Sequence, residues 1–155
     1  MIRFLGTSVG VFALCTALST LVLAAPHAFQ AGEVWTVKAS PPSPMRVIIG
    51  KVESFRGHDV CHVSVTDVPV PSDIPLPESS TTFGHMPFDC SALGTSVDKL
   101  ERTGVAPPKS FANGYAAWSE VPEGLFTLPV PQAIDMMFSA IRSQQKSEPA
   151  SKAAP

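Results

Sequence analysis

The chain has 155 residues, a formal charge of −2, and 45% hydrophobic against 15% charged residues, which allows one folded domain once its ends are set aside. Mild acidity with scattered Lys and Arg excludes a basic nucleic-acid footprint and speaks against an anionic membrane surface as partner. No P-loop is present, and no G-x-S-x-G lies outside the apolar N-terminal run, whose Gly6–Gly10 matches the string by letters alone, so nucleotide and serine-hydrolase chemistry are not announced by motif in the domain.

The N-terminus reads as an export segment. Met1-Ile2-Arg3 supplies one positive charge, and Phe4 to Ala25 carries none. Val22-Leu23-Ala24 fits the −3/−1 pattern of a signal peptide, residues 1–24, with cleavage after Ala24. A cut after Ala25 would place Pro26 at +1; a cut after Ala28 is the alternative site. The same run is long enough to cross a bilayer of about 30 Å, so an uncleaved anchor is the one route by which a membrane enters. Cys15 follows Phe12-Ala13-Leu14, not the small residue that a lipobox places before its cysteine. The expected location is periplasmic or secreted.

Export leads to an oxidising compartment, and two cysteines remain there, Cys61 and Cys90. In the strand-like run Val60–Val65, alternation puts Cys61 on one face with Val63 and Val65. In a helix after Asp89, Cys90, Leu93, Val97 and Leu100 fall on a single stripe. Both cysteines therefore point at the core, and a Cys61–Cys90 disulfide is expected, against two buried free thiols.

In chain order, Glu33–Lys38 alternates as a first strand, with Trp35 and Val37 on one face. Ser40-Pro41-Pro42-Ser43-Pro44 breaks it. Arg46–Phe55 is the strongest strand, and Gly50 within it predicts a bulge or a close backbone approach. Arg56-Gly57-His58-Asp59 turns the chain into a second antiparallel strand, Val60–Val65. Val68–Glu78 carries prolines at 69, 71, 75 and 77 and reads as an extended surface loop or edge. A proline-rich ligand for an SH3-like partner is the functional alternative, but no basic residue flanks the prolines.

Thr82–Phe88 is expected as an extended approach with an elbow at Gly84-His85-Met86-Pro87. A helix capped by Asp89 follows, running to about Arg102 with Gly104 as its stop. Phe111–Trp118 has helical content without a clean period, and Tyr115 and Trp118 clamp one face of the core. Gly124–Leu128 is a short strand. Ile134, Met137, Phe138 and Ile141 form the stripe of a last helix. The domain spans 29–142, and residues 143–155 read as a disordered tail.

The polar groups that draw notice are His62, Ser64, His85 and Asp89, with His58 and Asp59 at the turn. His62 and Ser64 share the face opposite Cys61. His85 precedes a helix N-terminus, whose dipole would disfavour its protonated form and suit a neutral donor or base near pH 7. In the plainer reading, His62 and Ser64 are the wet face of a sheet and His85 holds the elbow. Cys61, His62, His85 and Cys90 are the right types for tetrahedral zinc. Neighbours on a strand point to opposite faces, however, so Cys61 and His62 do not reach one ion without a bulge. No metal, cofactor or catalytic residue is assigned; His62, Ser64, His85 and Asp89 stand as candidate ligand-binding residues.

Gly32-Glu33-Val34-Trp35, His62-Val63-Ser64-Val65, Gly84-His85-Met86-Pro87-Phe88, Gly114-Tyr115-Ala116-Ala117-Trp118 and Gly124-Leu125-Phe126-Thr127 together resemble a pattern in small uncharacterised bacterial proteins. The likeness runs from Phe29 to about Ile141 and implies a bacterial source, but no substrate, cofactor or catalytic residue.

The expected fold is α+β: a small, mostly antiparallel, partly rolled sheet of about four strands with two packed helices. The expected function is that of an exported non-enzymatic module binding a protein or small-molecule partner. A small hydrolase-like or ligand-binding enzyme using His62, Ser64 and His85 is the alternative. A periplasmic immunity or inhibitor protein is the third reading.

Overall fold

A computed structural model describes residues 28–38, 45–74, 77 and 81–147. The export segment, its cleavage site after Ala24 and most of the second half of the proline-rich loop lie outside those residues. So does the end of the tail.

Five strands form one antiparallel sheet: β1 (Val34–Val37), β2 (Arg46–Phe55), β3 (His58–Thr66), β4 (Phe83–Asp89) and β5 (Val97–Arg102), in the order β4-β3-β2-β1-β5. Among the described residues three helices accompany it: α1 (Cys90–Ser96), α2 (Ser110–Glu120) and α3 (Val130–Ser147). The α+β class and the rolled sheet are as expected, with one more strand and one more helix. The roll has a simple cause. A flat five-stranded sheet would separate its edges by about 19 Å at the usual strand spacing. The seven residues of α1 alone join edge strand β4 to edge strand β5, and a helix that long spans only about 10 Å.

One expected element changes identity here. The helix begins at Asp89, whose carboxylate accepts from the backbone N–H of Ser91 at 2.9 Å and of Ala92 at 3.3 Å. It stops at Ser96 and does not continue to Arg102. Gly94 is a poor helix former, and the Thr95 and Ser96 hydroxyls both donate back to Ala92 O, a competition that weakens helices. Residues 97–102 meet the open edge of β1 instead and pair with it. Gly104, with φ +71°, therefore follows a strand.

The anticipated hairpin joins β2 to β3 through Arg56 and Gly57, both at positive φ (51° and 83°), the backbone of a type I′ turn. The approach to Asp89 is no elbow but β4 itself, paired with β3 from Phe83 to Asp89. The short strand expected around Phe126 is a single parallel bridge to Phe88 that covers the outer edge of β4. Val68 and Ile74 bury the proline-rich loop, and Asp73 ties it to Arg142 of α3 at 2.6 and 3.1 Å. Helix α3 continues to Ser147, beyond the expected start of the tail.

The principal core lies on one face of the sheet. Val47, Ile49, Val63, Val65, Met86 and Phe88 pack there with Leu93 of α1 and with Val130, Ile134 and Phe138 of α3. Cys61 belongs to this face and is bonded to Cys90, with an S–S distance of 2.05 Å and Cα atoms 5.2 Å apart. The expected disulfide is present, and it staples β3 to the first turn of α1. Residues Val60 to Val65 are all buried, so the opposite face of β3 is covered too.

Candidate functional site

That second face is covered by α2, and two bulges decide which side chains it covers. In β2 the register slips between Ile49 and Lys51, at the anticipated Gly50. Before the slip, Val47 and Ile49 face the principal core; after it, Val52 opposes Cys61, and Lys51 and Glu53 turn to the α2 side. In β4 the register slips again, with Val63 opposite Met86 but Val65 opposite Phe83. The extra residue returns Phe83 to the principal core while His85 stays with α2. A bulge re-aims side chains in this way because a one-residue shift exchanges the faces.

Three glycines let α2 approach closely. A Cβ on Gly84 would stand 2.5 Å from Ser110 Oγ, and one on Gly114 would stand 2.5 Å from His85 Cβ. A Cβ on Gly50 would stand less than 3.0 Å from Cζ, Cε2 and Cε1 of the Phe111 ring. Each of these is well inside van der Waals contact.

Beneath the helix lies a hydrogen-bonded chain. His62 Nε2 is 3.0 Å from Glu53 Oε1, and His62 Nδ1 is 3.0 Å from His85 Nε2. Tyr115 donates to Glu53 Oε1 at 3.0 Å, Lys51 Nζ pairs with Glu53 Oε2 at 2.6 Å, and Lys51 also donates to the Tyr115 hydroxyl. Glu53 stays ionised, its carboxyl held below the usual range chiefly by Lys51. An ionised carboxylate only accepts. His62 therefore carries its proton on Nε2 and donates it to Glu53. His62 Nδ1 is then an acceptor, so His85 donates from Nε2 and keeps a bare lone pair on Nδ1.

Both imidazoles are neutral at pH 7. Burial pushes His62 below its ordinary value of 6.5 despite Glu53, and burial followed by the proximity of His62 pushes His85 down to about 4. The direction matches the expectation for His85. The causes are desolvation under α2 first and then the neighbouring His62 ring. Aromatic rings wall the pair: Trp118 lies 4.6 Å and Tyr115 4.9 Å from His62 between centroids, and Phe111 lies 5.5 Å from His85.

Of the sequence candidates, His62 and His85 are brought together. Ser64 is not joined to them; it is buried and donates to Gly84 O at 2.6 Å across the β4 bulge. The wet sheet face expected for His62 and Ser64 does not exist, because α2 lies on it. Asp89 caps α1 and meets His58 at 3.2 Å, and Asp59 accepts from Ser54. Among the described residues no group of His, Cys, Asp and Glu is arranged to hold a metal ion. Sequence reasoning missed Lys51 and Glu53, whose side of the sheet depends on the Gly50 bulge. It had Tyr115 and Trp118 clamping one face but missed Phe111 as the third ring and the histidines beneath them, although the spacing i, i+4, i+7 was legible.

Among the clefts formed by the described residues are two, neither of them lined by His62, Ser64 or His85. The first, about 460 Å³, is bounded by Phe55, Arg56, His58, Trp118 and residues 122–125 with Thr127. Phe55 and Trp118 meet edge to face at 5.4 Å, and the Arg56 guanidinium lies 4.9 Å from the Phe55 ring. The second, about 400 Å³, lies between Phe29, Trp35 and α1. Among the described residues no helix is long and apolar enough to cross a membrane. No family model, curated protein or solved structure matches the chain, so function has to be read from this geometry.

Proposed function

We propose that the chain is an exported, disulfide-bonded binding module that takes a small apolar ligand bearing an anionic group in the Phe55–Trp118 cleft. The observation that carries this reading is the cleft itself. It has an aromatic wall, a volume in the range of ligand sites, and a guanidinium at its lip that pairs with no carboxylate among the described residues. The alternative, a hydrolase built on His62, Ser64 and His85, loses its support. Ser64 bonds to the backbone instead of to either histidine, and His62 is fully buried. The disulfide and the apolar N-terminal run support export.

Two measurements test this. p-Toluenesulfonate, an aromatic anion at any working pH, is expected to bind with a millimolar Kd, as suits a fragment of its size. It should shift the Trp118 indole N–H and the amides of Glu123 and Gly124 in the ¹H–¹⁵N spectrum. Arg56→Gln should weaken it about tenfold, the loss of one charge-assisted contact. Shifts confined to Trp35, or equal binding of benzamidine, would remove the cleft from consideration. For export, the intact mass of protein recovered from the periplasm should begin at Ala25 or Phe29, with both thiols blocked until reduction. A full-length mass with freely alkylated thiols would overturn it.

A further inference from the structure

The buried histidine pair and the cleft share a wall. Trp118 packs on His62 from one side and forms the cleft with Phe55 on the other. We propose that protonation of the His62–His85 pair releases α2 from the sheet and dismantles the Phe55–Trp118 cleft, so that a ligand held at neutral pH is let go in acid. The ligand half of this rests on the binding function proposed above; the helix half does not.

The geometry limits how many protons the pair holds. At neutral pH a single proton joins His62 Nδ1 to His85 Nε2 across 3.0 Å. One further proton can enter at His85 Nδ1, with the Nε2 proton passing to His62. His62 is then a cation donating to Glu53 and to His85. A second further proton places an N–H on both facing nitrogens, and the contact becomes donor against donor. Glu53 relieves part of a charge on His62, but burial outweighs it, and no carboxylate among the described residues faces His85. From β2, Lys51 already neutralises Glu53; from α2 the only titratable group facing the pair is the Tyr115 hydroxyl, which donates to Glu53. The remaining neighbours are the rings of Phe111 and Trp118.

Helix α2 is the element that yields. Phe111 is its only buried residue, so its docking depends on the aromatic stripe and on the groups beneath it. The principal core lies on the opposite face and does not include α2.

The sign follows from linkage. Histidines held below 6.5 in the folded protein bind fewer protons there than in the undocked form. Docking is therefore at full strength above about pH 6.5 and is lost as pH falls toward the folded values, near 4 for His85. This window sits above that of Glu53, which is lowered from 4.5.

The test uses the mature protein carrying Trp35→Phe, so that Trp118 is the only tryptophan. Between pH 6.5 and 4, Trp118 emission should shift reversibly and the α2 amides should lose exchange protection, while β2 and β3 amides keep theirs. p-Toluenesulfonate affinity should fall at least tenfold over the same range. In His85→Gln, whose amide still donates to His62 without titrating, the transition should move down into the carboxylate range. Simultaneous loss of α2 and β2–β3 protection, or an unchanged transition in His85→Gln, would overturn the proposal. If that variant does not fold, ¹³C-histidine NMR of the unaltered protein decides: two imidazoles titrating near 6.5 with α2 still protected would also overturn it. Failure of p-toluenesulfonate to bind at pH 7 would remove the ligand half and the binding function together. Release of α2 would still be read from exchange.

Discussion

Replacing Cys61 and Cys90 together by alanine is expected to lower the unfolding free energy by about 3–4 kcal/mol, the chain-entropy value for a loop of this length. The two residues are 29 apart in sequence. They join the fully buried centre of β3 to the segment that carries the chain from one sheet edge to the other. Against a typical domain stability of about 5–15 kcal/mol, that loss is large. Urea unfolding of the double variant should show a lower midpoint at a similar slope, and reduction of the native protein should reproduce it. An unfolding free energy within about 0.5 kcal/mol of the native value, the size seen for ordinary surface changes, would mean that the rolled sheet holds its edges together unaided.

The second large effect runs against helix propensity. Alanine for glycine inside a helix ordinarily stabilises by about 0.5–1 kcal/mol. A methyl group on Gly94 of α1 would meet only Phe29, at 3.9 Å, so Gly94→Ala should show that ordinary gain. At Gly114 the new methyl would meet His85 Cβ at 2.5 Å. The contact is with a carbon next to the backbone, which has little room to move. Gly114→Ala should therefore destabilise by about 1–3 kcal/mol, the usual cost of overpacking. Opposite signs for the two variants in urea unfolding are the expected result. A stabilised Gly114→Ala would show that α2 rides higher on the sheet, and the histidine pair would then be wetter.

Much of the architecture was legible because it depends on local periodicity. The Arg46–Phe55 and Val60–Val65 hairpin, the Asp89 cap and the Ile134–Phe138 stripe each follow from spacing within one segment. The cysteine pairing was legible for a related reason: alternation placed Cys61, and helical spacing placed Cys90, toward a common core. Residues 97–102 were not legible as a strand. Their Val and Leu spacing continues a helical stripe, and only the free edge of β1 turns them into β5. Propensity is a weak prior that such pairing overrides.

What the sequence determined by itself is therefore the β2–β3 hairpin and its turn, the Asp89 cap, the last helix and the disulfide. Tertiary structure alone decided the candidate site. Gly50 was readable as a bulge, but which way Lys51 and Glu53 then face depends on the register with β3. His62 looked solvent-facing from alternation, yet it is fully buried, because α2 docks on glycines from two distant strands. The state of His85 follows from that docking and not from its neighbours in sequence, since burial is a property of everything packed against a group.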